Sequence, residues 1–214
     1  MISRIIYPAQ QNYLSQFYSN KDDLLLEMEK LAVEKNIPIL AKSSAEFIEQ
    51  LILVHKPKRV LEIGTAIAYT SIRIARLLKK KRIVDTIEKS EDNISLAESF
   101  IEKAGLKDRI HILKGEAFNI IPQLAKKYDF IFLDADKKDY KRLLDYSVVL
   151  LKKGGVIVVD NLLWHGLAAA KSVPAEYKIS TNQIREFNKI FLTQPNLRSS
   201  IQPIGDGLGI GIKI

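Results

Sequence analysis

From residue 58 to residue 160, short apolar runs alternate with longer amphipathic ones, and this alternation limits the possible folds more than any other feature. Residues 58–63 (KRVLEI) stop at Gly64, as a buried strand does before a turn. Residues 69–78 place apolar side chains at helical spacing, and a basic run at 79–82 precedes a second strand at 83–87 (IVDTI). A helix over 91–104 is closed by Gly105 at a C′ position. Then follow a strand at 110–113, a short helix at 118–127, a strand at 129–133 (DFIFL) and a helix at 140–151. A strand at 155–159 (GVIVV), rich in β-branched residues, reads as covered on both faces. Strands alternating with helices of this length imply βαβ units and a parallel sheet.

Residues 16–34 and 43–55 read as helices before this core, and 181–192 as a helix after it, with closing strands at 197–201 and 207–214. The expected fold is α/β: a Rossmann-like, doubly wound, mostly parallel seven-stranded sheet with helices on both faces and an N-terminal helical extension. One domain is expected over 1–214, with 1–57 as extension or lid and 58–214 as the α/β core. The absence of cysteine excludes a disulfide scaffold, a thiolate nucleophile and a Cys-ligated zinc or iron–sulfur centre. No apolar run approaches the roughly 18 residues of a membrane span, and residues 1–16 lack the apolar stretch of a signal peptide. A cytoplasmic location and no membrane partner are expected. The formal charge of +8 permits an anionic partner.

In open α/β sheets ligands lie beyond the carboxyl ends of the strands. After the first strand comes Glu62-Ile-Gly64-Thr-Ala-Ile-Ala68-Tyr-Thr70, with one glycine where a dinucleotide loop needs three. This argues against a diphosphate ligand. Glu88, after the second strand, is placed to accept hydrogen bonds from ribose hydroxyls, although a solvated acid at a helix start explains it as well. A nucleoside without phosphates on such a sheet points to S-adenosylmethionine. The fourth and fifth strands end in Asp134-Ala-Asp136-Lys137 and Asp160-Asn161. Asp134, Asp160 and Asn161 offer three hard oxygen donors, which suit Mg²⁺, Mn²⁺ or Ca²⁺. A lysine beside such an ion, Lys137, is a candidate general base.

The stretches LEIGTAIAYTS, GEAFNIIPQL, YDFIFLDADKKDY, GGVIVVDNLLWHG and PIGDGLGIGIK resemble the metal-dependent class I O-methyltransferases of the catechol and caffeoyl-CoA type and their bacterial relatives. The resemblance runs from about residue 37 onward. It implies that Glu62, Gly64, Thr70, Glu88, Ala117 and Asp134 contact S-adenosylmethionine, with Leu40 making a backbone contact to its methionine end. It further implies Asp134, Asp160 and Asn161 as metal ligands and Lys137 as the catalytic lysine. This chain has Ala68 where the family usually has a second glycine. Relatives often form homodimers, for which the N-terminal helices are a candidate surface.

Of two acceptors, 5-hydroxyuridine in tRNA is the expected one, and a small catechol or caffeoyl-type phenol is the alternative. Catechol-type phenols carry vicinal oxygens, and so does 5-hydroxyuridine in tRNA, the substrate of a bacterial branch with GTAIxYS and PxGDGL motifs. Basic clusters at 79–82, 126–127, 137–138, 141–142 and 152–153 are candidates to track a phosphate backbone, or are solvated helix faces. Trp164 is placed either to stack on the acceptor or to pack a lid. Of the histidines, His55 and His111 read as structural, whereas His165 adjoins the site. A non-catalytic S-adenosylmethionine- or RNA-binding module is the alternative class.

Overall fold

In the computed structural model, which describes residues 7–18 and 22–214, the sheet has seven strands. They are β1 (Arg59–Ile63), β2 (Ile83–Glu88), β3 (Ile110–Lys114), β4 (Tyr128–Leu133), β5 (Leu151–Val159), β6 (Leu197–Gln202) and β7 (Leu208–Lys213). The order is β3-β2-β1-β4-β5-β7-β6, with only β7 antiparallel to its neighbours. The order reverses direction between β1 and β4, which places the crevice of a doubly wound sheet at the carboxyl ends of those two strands. Asp134 N–H donates to the Ile63 carbonyl there at 3.0 Å, so Gly64 and Asp134 leave the sheet side by side.

The helices are α1 (Pro8–Ser15), α2 (Asp23–Lys35), α3 (Lys42–His55), α4 (Tyr69–Leu77), α5 (Glu91–Lys103), α6 (Ala117–Ile120), α7 (Tyr140–Leu150) and α8 (Lys178–Thr193). Strand alternation divides the core into two layers. Val60, Phe130 and Val158 face α2, α3, α4 and α5, and Leu61, Ile131 and Ile157 face α7 and α8. Met28, Ile48 and Ile52 are fully buried in the first layer, so the helices ahead of β1 are part of the core.

Local chemistry explains the boundaries. Ser90 caps α5 by accepting from Asn93 N–H, and Glu91 and Asp92 lie at the positive end of the helix dipole. At the other end Gly105 adopts φ +67°, Gly105 N–H donates to the Glu102 carbonyl and Leu106 N–H to that of Ile101. This is the left-handed stop expected from the glycine. The helix expected over 118–127 is shorter: α6 ends at Ile120 and passes into a 3₁₀ turn, Ile121–Gln123, because Pro122 has no N–H to continue it. The helix expected over 16–34 crosses residues 19–21, which lie outside the described residues. Beyond them α2 starts at Asp23, where the Asp22 carboxylate accepts from Leu25 N–H at 3.0 Å. α1 was not anticipated. β5 begins four residues before its β-branched stretch, with a register shift against β4.

Candidate active site

A cavity of about 540 Å³ opens at the carboxyl ends of β1, β2, β4 and β5. Gly64, Glu88, Ala117, Asp134, Lys137, Asp160 and Asn161 all line it. Three other expected residues do not. Leu40, Glu62 and Thr70 are buried behind the wall, whose nearest parts are Pro38, Ile39, Ala66 and Ile87.

Gly64 is the one residue type this turn admits. Its φ is +105°, and an added Cβ would lie 1.9 Å from the Asp134 carbonyl oxygen. The loop after it stays tight, with Ala66 and Ala68 both left-handed at φ +46° and +67°. Glu88 holds that loop. One of its carboxylate oxygens accepts from Ala66 N–H at 2.9 Å, and the other from Lys89 and Ser90 N–H at 2.9 and 3.0 Å. A carboxylate has about four acceptor positions, so about one is left for a ligand hydroxyl in this arrangement.

Glu62 sits one layer deeper. Its carboxylate accepts from the hydroxyls of Ser71 and Thr86, the latter at 2.6 Å. Thr86 has a single proton and gives it to Glu62, so the 2.6 Å contact between Thr65 and Thr86 has Thr65 as donor. Burial pushes the Glu62 carboxyl up to about 7 against these hydrogen bonds.

The acidic end of the cavity is built by the ends of β4 and β5. Lys137 Nζ donates to Asn161 Oδ1 at 2.6 Å, to Tyr140 Oη at 2.7 Å and to the Ala135 carbonyl at 3.2 Å. It lies 3.5 Å from Asp134 Oδ1. Tyr140 donates its own proton to the Asp160 carbonyl at 3.0 Å, so it serves Lys137 only as acceptor. Asp160 Oδ1 accepts from Asn161 N–H at 2.7 Å. Burial, and next the charge of Asp134, push the Asp160 carboxyl up to about 7, and burial raises Asp134 also. Among the described residues no three carboxylate or imidazole side chains converge as a metal cage. The candidate donor set is two carboxylates and one carboxamide.

The turn between β6 and β7 reaches into this end. Asp206 accepts from Asn161 Nδ2 at 3.5 Å and from His165 N–H at 2.5 Å. Leu162 and Leu163 N–H donate to the Gly207 and Asp206 carbonyls, both at 2.9 Å. These bonds hold a loop in which Asn161, Trp164, His165 and Gly166 are all left-handed. Trp164 lines the cavity, with its indole N–H on Ser180 Oγ at 3.1 Å, and His165 packs beside it. Asp206 was not singled out from the sequence, although the terminal PIGDGLGIGIK stretch contains it. His55 and His111 lie away from the cavity, on the Asp129 carbonyl and on Asp85.

Comparison with known proteins places the chain among methyltransferases. A family model described as O-methyltransferase matches residues 15–214. A caffeoyl-CoA O-methyltransferase from Populus kitakamiensis is 29% identical over 214 residues, covering 93% of this chain and 90% of that protein. A catechol O-methyltransferase from Niastella koreensis is 31% identical over 167 residues, 75% of this chain and 76% of that protein. The crystal structure of an O-methyltransferase from Bacillus cereus in complex with SAH superposes with a TM-score of 0.84 at 27% identity, covering 96% of this chain and 97% of the other. With the fold and a family match spanning nearly its whole length in agreement, this chain belongs to the O-methyltransferase family.

Proposed function

We propose that this enzyme transfers the methyl group of S-adenosylmethionine to a hydroxyl whose neighbouring atom carries a second oxygen, using a divalent cation held by Asp134, Asp160 and Asn161. The observation that carries this reading is the crowding of Asp134 and Asp160, with Lys137 as the nearest cationic side chain. Hard oxygen donors whose burial, together with the charge of Asp134 on Asp160, disfavours ionisation fit a small dication, which stabilises both carboxylates. When bound, the sulfonium supplies an activated methyl group and the cation lowers the pKa of an acceptor hydroxyl.

The chain's own residues do the rest. Gly64 leaves backbone room beside Asp134, and Glu88 offers its remaining acceptor position to a ribose hydroxyl. Asn161 Oδ1 accepts one hydrogen bond from Lys137 and keeps a second lone pair with which it would hold a cation. Lys137, once neutral, takes the acceptor's proton, while Tyr140 keeps the amine beside the reacting oxygen.

A small catechol-type phenol is the acceptor the cavity favours. Six carboxylates (Glu88, Glu116, Asp134, Asp136, Asp139 and Asp160) line it, against Lys89 and Lys137. That rim disfavours a polyanion. The printed name of the catechol relative points the same way. A second reading, 5-hydroxyuridine in tRNA, is favoured by Trp164 at the mouth, where a base can stack. Exposed Lys138, Lys141 and Arg142 follow Lys137 in sequence.

A labelled-methyl transfer assay decides between them, run with Mg²⁺ on a catechol panel and on tRNA bearing 5-hydroxyuridine, with and without chelator. Chelator-sensitive labelling of catechols, lost in Asp160→Ala, is expected. Labelling of tRNA alone would install the second reading. Labelling that survives the chelator would remove the metal from the mechanism.

A further inference from the structure

The basic runs at 79–82 and 126–127 precede β2 and β4, and 152–153 lies in the first residues of β5, so the fold carries all three to the amino ends of the strands, opposite the cavity. Five residues of β1 alone, roughly 16 Å at about 3.3 Å per residue, separate that end from Gly64. Segments 56–59, 79–82, 107–109, 126–129 and 152–153 all meet there. They hold thirteen Lys and Arg against two Asp, an excess larger than the +8 of the whole chain.

Bonds between neighbouring segments show that this is one surface. Arg109 donates to the Lys79 carbonyl and Arg82 to the Lys56 carbonyl. The Asp129 carboxylate accepts from Lys58 N–H and pairs with Lys152, and Lys213 donates to the Leu151 carbonyl. The row crosses six strands from β3 to β7, roughly 24 Å at about 4.8 Å per strand. Of the three arginines in these segments, Arg82 and Arg109 are engaged by backbone carbonyls and Arg59 pairs with Asp85. Lys58, Lys80, Lys126 and Lys153 are exposed and have no carboxylate within 4.0 Å among the described residues.

Aliphatic side chains stand on the same end. Val54, Val149 and Ile214 are 81%, 62% and 64% exposed. No exposed aromatic side chain accompanies them in these segments.

We propose that this end is a peripheral docking face for an anionic lipid surface. Free lysines with interleaved aliphatic side chains match a headgroup layer, which attracts the ammonium groups and accepts the apolar tips. The features that would favour RNA, stacking aromatics and free arginine forks, are missing. A second copy of the chain is disfavoured on this face because the two rows of positive charge would repel. The absence of a membrane span, from which no membrane partner was expected, does not bear on surface attachment, since a docking face needs no spanning helix.

The test is co-sedimentation of the full-length protein with phosphatidylcholine vesicles, and with vesicles containing about 30 mol% phosphatidylglycerol, at low and high salt. Binding only to the anionic vesicles, weakening as salt rises, is expected. The combined variant Lys58→Gln, Lys80→Gln, Lys126→Gln, Lys153→Gln should bind about 1000-fold more weakly, with methyl transfer and melting temperature unchanged. The variant Val54→Ser, Val149→Ser should bind several-fold more weakly with the same salt dependence. Failure to bind anionic vesicles would overturn the proposal, as would binding indifferent to the four lysines. Unaltered lipid binding by the serine variant, with tighter binding to a short single-stranded RNA, would reassign the face to nucleic acid.

Discussion

Asp206 fixes the orientation of the Asn161 carboxamide from 45 residues away in sequence. The amide nitrogen faces Asp206 Oδ2 at 3.5 Å, and the amide oxygen is thereby presented to Lys137 at 2.6 Å. In Asp206→Asn one oxygen remains for His165 N–H, and the new amide nitrogen meets that of Asn161. Asn161 then turns its oxygen away from the site. Under the proposed metal-assisted mechanism, Mn²⁺ affinity measured by electron paramagnetic resonance should fall about 10–100-fold, as for other residues that orient metal ligands. Affinity for S-adenosylhomocysteine should be unchanged, and loss of both together would make Asp206 a general support of the fold.

Glu88→Ala should weaken S-adenosylhomocysteine binding by at least about 10-fold, since a charged hydrogen bond is worth about 1.5–3 kcal/mol. It also frees the N–H groups of Ala66, Lys89 and Ser90, so the loop after β1 should gain hydrogen exchange at Ala66. Calorimetric titration gives the first quantity. An unchanged affinity would remove Glu88 from the cofactor site.

Glu62 makes stability depend on pH. Its folded-state pKa of about 7 exceeds the ordinary 4.5, so the protonated form is favoured in the fold. No penalty exists below pH 4.5, and it grows as pH rises toward 7, reaching about 3 kcal/mol above that. Glu62→Gln carries no such penalty. The stability of the variant minus that of the parent, from urea unfolding, should rise by about 2–3 kcal/mol between pH 5 and pH 8. A constant difference would show that Glu62 is ionised in the folded protein.

Gly64→Ala combines a left-handed φ with a Cβ inside contact distance of the Asp134 backbone. It should lower stability by about 3 kcal/mol or more and push β1 and β4 apart at the cavity floor. Thermal unfolding checks the first effect. Loss of S-adenosylhomocysteine binding in the protein that remains folded checks the second.

Most of the sheet and the lining residues could be read from the chain, because each of the first five strands ends at or just before a glycine or an acid and the doubly wound order brings those ends together. Asp134, Asp160, Asn161 and Lys137 follow from that rule. Glu62 does not follow, because alternation within β1 turns its side chain to Ser71 and Thr86. Asp206 required the position of the β6–β7 hairpin, which no local periodicity encodes. The basic runs are the instructive case. A run that precedes a parallel strand belongs to the end away from the ligand, and a run that follows one belongs to the ligand end. Read without topology, 79–82 and 137–138 look alike.

The insertion of β7 between β5 and β6 has a consequence for how the chain is made. Until β7 arrives, β5 is an outer strand whose Val156, Ile157, Val158 and Val159 have one row of backbone groups open to pairing with another chain. Residue 206 leaves the ribosome 45 residues after residue 161, which is a delay of about 2–9 s at ordinary synthesis rates. During that interval the nascent chain displays an apolar strand with an open edge. Ribosome-bound chains halted once residue 160 has emerged should therefore recruit holdase chaperones, and chains held on an added linker that lets β7 emerge should release them.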